Sequence, residues 1–90
     1  MKLSIVVIES GFIYLGVPAL HDCPILGKCL KLKNAENIRR WGTDKGLGQL
    51  AHIGKQENTV LDYTGTITVP VSKVLHFIEV TEKAALTYGR

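Results

Sequence analysis

The stretch Lys28–Trp41, KCLKLKNAENIRRW, sets the frame of the fold. Its first half alternates with period two. Cys29, Lys31 and Lys33 fall on one face and Leu30 and Leu32 on the other, the pattern of a half-buried strand with lysines turned to water. The second half reads as another extended piece, with Asn34 and Ala35 near a turn and Ile38 and Trp41 as its apolar anchors. By parity Arg39 and Trp41 share a face and Arg40 points away.

Upstream, residues 3–9, LSIVVIE, are rich in β-branched side chains and too short for a helix, so they read as a buried strand. Ser10-Gly11 is a tight-turn signal, and FIYLGV at 12–17 is a second strand that closes a hairpin with the first. Gly16 inside that strand predicts a bulge or a close backbone approach. Residues 18–27 hold Pro18, Pro24 and Gly27 and read as a loop with room for a short strand at its edge.

Downstream, Thr43 or Asp44 can cap a short helix through a side-chain oxygen. Leu47, Leu50 and Ala51 form its apolar face, and Gly54 stops it as the C′ residue. Gly46 and Gly48 weaken this helix, so it must lean on the core. KQEN at 55–58 is a polar loop, and residues 59–65 have turn character around Asp62 and Gly65. In TITVPV, Ile67, Val69 and Val71 point inward, and Pro70 belongs at a strand edge or end. VLHFIEV at 74–80 is the last strand, and Thr81 caps a final helical turn in EKAALTY. The sum is a mainly β (α+β) fold, a small antiparallel β-roll or open barrel of five to six strands with one short inserted helix.

The 90 residues make one domain, 1–90, and its 46% hydrophobic content marks a globular chain. A core this small favours self-association, so a homo-oligomer is expected. The net charge is only +3, yet Lys28–Lys45 holds six basic residues against Glu36 and Asp44, a local excess of +4. Such a stripe suits nucleic acid, a nucleotide or a phosphate, or else is a solvated strand face. No apolar run approaches the roughly 20 residues of a membrane span. Glu9 and Ser10 break the signal-peptide pattern of the first residues. A cytoplasmic protein with no membrane partner is therefore expected. Cys23 and Cys29 are too few for a disulfide framework, and HDCPILGKC lacks the second ligand pair of a zinc site. No metal and no cofactor are expected.

Four pieces in order, ESGFIYLGV, LKLKNAENIRRWGT, GLGQLAHIG and TITVPVSKVLHFIEVTEKA, span nearly the whole chain. In them the chain resembles a family of small uncharacterised proteins of tailed bacteriophages. The resemblance implies a phage origin and expression in the host bacterial cytoplasm. It carries no established activity. Small phage proteins of this kind are often accessory: they inhibit host defence, bind a host factor or support the virion.

No hydrolase, metalloprotease or nucleotide-triphosphate loop motif occurs, the carboxylates are scattered, and His21, His52 and His76 stand apart. A non-enzymatic protein is expected. The strongest candidate site is RxWGTDKG. Arg39 and Lys45 would hold phosphate, the backbone at Thr43, Gly46 and Gly48 would donate to it, and Trp41 would stack on a base or wall the site. That composition suits a nucleotide, and with the phage resemblance it implies an anti-defence binder that sequesters a host nucleotide-type signal. Trp41 could equally fill the core where helix meets sheet. Two alternatives stand beside this reading. One is a protein–protein module, an inhibitor of a host enzyme or a minor virion component, which predicts an exposed apolar patch or an open strand edge. The other, less favoured, is nucleic-acid binding.

Overall fold

The computed structural model describes residues 2–90. It holds one five-stranded antiparallel sheet: β1 (Ser4–Ile8), β2 (Ile13–Cys23), β3 (Gly27–Arg40), β4 (Val60–Pro70) and β5 (Val74–Glu79). Two short helices accompany it, α1 (Leu47–His52) between β3 and β4 and α2 (Glu82–Thr87) after β5, with a 3-10 turn at Val71–Lys73. The strand order is β4-β3-β2-β1-β5.

That order and one short link dictate the shape. β4 and β5 are the two outer strands, yet only Val71–Lys73 joins them. Four Cα steps reach at most about 14 Å. In a flat sheet the outer strands of five would lie about 19 Å apart. The sheet therefore curls until its edges approach at this end, and it stays open elsewhere. The result is the open β-roll expected from the alternation.

KCLKLK and NAENIRRW, read as two extended pieces, are one continuous strand, β3. The turn expected at Asn34-Ala35 is a β-bulge. Leu15 pairs with Glu36 and Val17 with Lys33, so Gly16 alone opposes both Asn34 and Ala35. Asn34 takes φ 51°, a left-handed conformation that asparagine tolerates. The extra residue moves Ala35 onto the face of Leu32, which strict alternation would deny it. Gly16 provides the room. A Cβ there would lie 3.3 Å from the Leu32 Cβ and 3.6 Å from the Ala35 Cα.

Several expectations are corrected. Residues 18–27 are not a loop: β2 runs on to Cys23, and only residues 24–26 turn. Pro18 fits because β1 pairs only as far as Gly16, so beyond it β2 has a free side that needs no N–H donor. The turn signals at 59–65 belong to β4. There Thr64 is the extra residue between the Ala35–Gly65 and Glu36–Tyr63 pairs, and its hydroxyl donates to the Ala35 carbonyl at 2.9 Å. Cys29 is buried rather than turned to water with the lysines, and Val71 is exposed in the 3-10 turn rather than facing inward. Pro70 ends β4, an outer strand, as expected.

The two faces of the sheet pack differently. On one, Leu3, Ile5, Leu15 and Ile38 meet Leu50 and Ala51 of α1 and Ala84 of α2. On the concave face Val6, Leu32 and Ala35 form a smaller cluster flanked by Ile8, Tyr14, Ile67 and Val74. Thr81 caps α2 by accepting from Ala84 N at 3.1 Å, as expected. Arg90 donates to the Asn34 carbonyl at the bulge and pairs with Glu36 at 3.1 Å.

Tyr88 ties the two helices, its hydroxyl donating to the Leu50 carbonyl at 2.8 Å. Burial first, and then the nearby Glu36 carboxylate, pushes its phenol up to about 12. The folded value lies above the ordinary value of about 10, so the folded state favours the protonated form. That stabilisation is complete below pH 10 and is lost as pH rises through 12. Denaturant titrations across this window should show stability falling with pH in the wild type, and a shallower fall in Tyr88→Phe.

Candidate functional site

The segment from Arg39 to Gly48 runs from the end of β3 through a turn into α1. Arg39, near the end of β3, faces Asp62 of β4, with Nε to Oδ2 at 2.7 Å and a guanidinium nitrogen to Oδ1 at 3.4 Å. Both side chains are exposed, so the pair adds little stability. It nonetheless occupies the fork that a phosphate would use.

Trp41 follows β3 and is 41% exposed, outside both core clusters. Its carbonyl accepts from the Thr59 hydroxyl at 2.7 Å. The expectation that Thr43 or Asp44 caps α1 is corrected: the N-cap is Gly46, at φ 80°, with no side-chain cap. Thr43 Oγ1 donates to the Gly46 carbonyl at 3.0 Å instead. Gln49, in the first turn of α1, does the remaining work. Its side-chain oxygen accepts from Asp44 N at 3.1 Å and Lys45 N at 2.9 Å. Two N–H groups of the turn are thus satisfied, those of Asp44 and Lys45 and not those of Thr43, Gly46 and Gly48 expected to donate. Gln49 carries no signal in the sequence, because with Thr43 or Asp44 as the N-cap it does not stand at the third helical position of a capping box.

Among the described residues, Lys45 makes no ion pair. Gly48 lies inside α1, and its carbonyl accepts from His52 Nδ1 at 2.8 Å. Gly54 is the helix stop expected, at φ 113° with its N–H on the Gln49 carbonyl. The structure therefore gathers Thr43, Lys45, Gly46 and Gly48 into one turn, leaves Trp41 on the surface, and gives Arg39 to Asp62. The basic residues do not converge. Lys28 and Arg40 stand at opposite ends of β3, about 40 Å apart along an extended chain, and the molecule's longest dimension is 40 Å. Among the described residues no group of three or more His, Cys, Asp or Glu side chains could hold a metal ion.

A second feature was not foreseen. A cavity of about 680 Å³ opens where the sheet curls, between the β1–β2 turn and the end of β4. Ile8, Tyr14, Ile67, Val69 and Pro70 make it apolar, and Glu9, Ser10, Thr68 and Lys73 give it a polar margin. Lys73 Nζ meets Glu9 Oε2 at 3.0 Å, and Glu9 N donates to the Lys73 carbonyl at 2.7 Å. The β1–β2 turn is thereby fastened to the 3-10 turn at the mouth. The volume is that of a ligand pocket. In the sequence these apolar residues are indistinguishable from core, because only the curl of the sheet separates the two.

No family model matches this chain, and neither a curated protein nor a solved structure matches it.

Proposed function

We propose that this chain is a non-enzymatic protein-binding module whose curled sheet receives an apolar side chain of a partner protein. The observation that carries the reading is the 680 Å³ apolar cavity with its polar margin. An apolar floor takes the side chain, and the polar edge serves the backbone beside it. The outer strands β4 and β5 bound an open sheet, so a partner segment can also lie along an edge. In the setting implied by the phage resemblance, this is an accessory protein in the host bacterial cytoplasm and the partner is a host protein.

A second reading, a pocket for a nucleotide-type signal at Trp41 and Lys45, is supported by the exposure of Trp41. The Arg39–Asp62 pair counts against it.

One comparison separates the two. Ile67 lines the cavity from the concave face and is only partly buried, so Ile67→Trp puts a bulky ring into the space. On the first reading the wild type and Trp41→Ala retain the same protein from host lysate, and a folded Ile67→Trp loses it by at least about tenfold, the loss of one well-packed anchor. On the second, calorimetry against cyclic and ADP-ribose-type nucleotides gives heat that Trp41→Ala abolishes and Ile67→Trp leaves intact. Equal retention of the protein by folded Ile67→Trp and wild type would remove the first reading.

A further inference from the structure

The distal end of the β2–β3 arm carries chemistry that neither site uses. Cys23 closes β2 and Cys29 lies early in β3, and both are free thiols. The register pairs Cys23 with Gly27 and His21 with Cys29. The two cysteines are therefore diagonal neighbours on one side of the β2–β3 pair, next to the turn that joins the strands. The Cys29 sulfur lies 3.5 Å from the carbonyl of Gly27, the residue directly across from Cys23, so it is turned toward Cys23. Their access to solvent differs: Cys23 is half-buried and Cys29 is buried.

We propose that Cys23 and Cys29 form a reversible dithiol–disulfide site for low-molecular-weight disulfides of the glutathione class, with Cys23 as the attacking thiol and Cys29 as the resolving one. The roles follow from access, since only Cys23 can meet an incoming disulfide. The local chemistry agrees. The backbone N–H groups of Leu26 and Ile25 donate to the Cys23 sulfur and hold its thiol below the ordinary range, while burial pushes the Cys29 thiol up. Thiolate is the nucleophile in such exchange.

The step balances as follows. The Cys23 thiolate attacks one sulfur of oxidised glutathione, forming a mixed disulfide and expelling one glutathione thiolate. Cys29 then loses its proton and attacks the Cys23 sulfur, which expels the second glutathione. Two protein thiols are oxidised, one glutathione disulfide is reduced, and the two protons end on the two glutathione thiols. The new bond closes the tip that bears Ile25, which is 89% exposed, and Leu26.

The test is intact mass after equilibration with oxidised and reduced glutathione at a series of ratios, with free thiols then blocked by maleimide. Expected for the wild type are a loss of two hydrogens, loss of both maleimide labels and no lasting glutathione adduct. Cys29→Ser should instead hold one glutathione, and Cys23→Ser should stay unmodified. The native chain should oxidise at a lower ratio of oxidised to reduced glutathione than the chain unfolded in urea. Cys29→Ala replaces Cys29→Ser if the latter does not fold, and the wild-type comparison needs neither. The proposal is overturned if the native wild type accumulates a glutathione adduct without the disulfide. It is equally overturned if the native chain is no easier to oxidise than the unfolded one.

Discussion

Gly42→Ala should cost this protein about 3–5 kcal/mol, the range of severe single substitutions. Gly42 sits at φ 67°, just after Trp41. A Cβ there would overlap the Asn58 carbonyl carbon and lie 2.5 Å from Thr59 N and 2.6 Å from the Asn58 oxygen. All three are backbone atoms, so no side chain can swing aside. The contact is also where the chain leaving β3 meets the chain entering β4. Thr59 holds that junction, donating to the Trp41 carbonyl at 2.7 Å and accepting from Gln56 N at 2.9 Å. A domain of this size has roughly 5–13 kcal/mol of stability in all. The melting temperature should therefore fall by about 12 °C or more. Gly48→Ala is the matched control. Nothing lies within 4 Å of its added Cβ, and alanine in a helix interior should raise stability by about 0.5–1 kcal/mol. Thermal melts of the three proteins check both signs.

Leu32→Ala should be nearly as severe, at about 3–5 kcal/mol. Leu32 is fully buried at the centre of the concave cluster with Val6 and Ala35. It pairs with Pro18 on one side and Ile67 on the other, and the Gly16 approach is built against it. Truncation leaves a void that the bulged strand cannot close, because the bulge and the glycine already fix how near the strands come. Urea titration should show a lower midpoint with an unchanged slope. A cost below about 1 kcal/mol, typical of a surface substitution, would mean that the concave face is not packed and that the sheet does not curl as described.

These two residues show what could be read in the sequence and what could not. Period-two alternation around Leu30–Leu32, the β-branched run at 3–9 and the stop at Gly54 were legible because each is a local signal with a local cause. Gly16 was legible as a close approach, though its partner was not. The bulge at Asn34 was misread as a turn because both use a left-handed residue, and only the cross-strand register tells them apart. Residues 18–23 read as loop in the sequence because proline argues against a central strand. That objection vanishes once β1 is too short to reach them.

Much of the candidate site was hidden for the same reason. The glycines and lysine of GTDKG look like an anion loop. Which of its N–H groups are taken depends on a side chain further along, Gln49, and whether Arg39 is available depends on Asp62 from another strand. The cavity depends on still more distant information, the closure of β4 toward the β1–β2 turn by a three-residue link. Ile67 and Val69 carry no mark in the sequence that separates a pocket wall from core.

The proposed function makes the cavity the contact surface. The direct measurement is photo-crosslinking in bacterial cells, the setting that the phage resemblance implies, with p-benzoylphenylalanine introduced in place of Ile67 in one protein and of Trp41 in another. On illumination the Ile67 position should give one discrete cross-linked protein partner, and the Trp41 position should give none. An adduct from the Trp41 position with none from the Ile67 position would contradict the proposal, and so would the absence of an adduct from both.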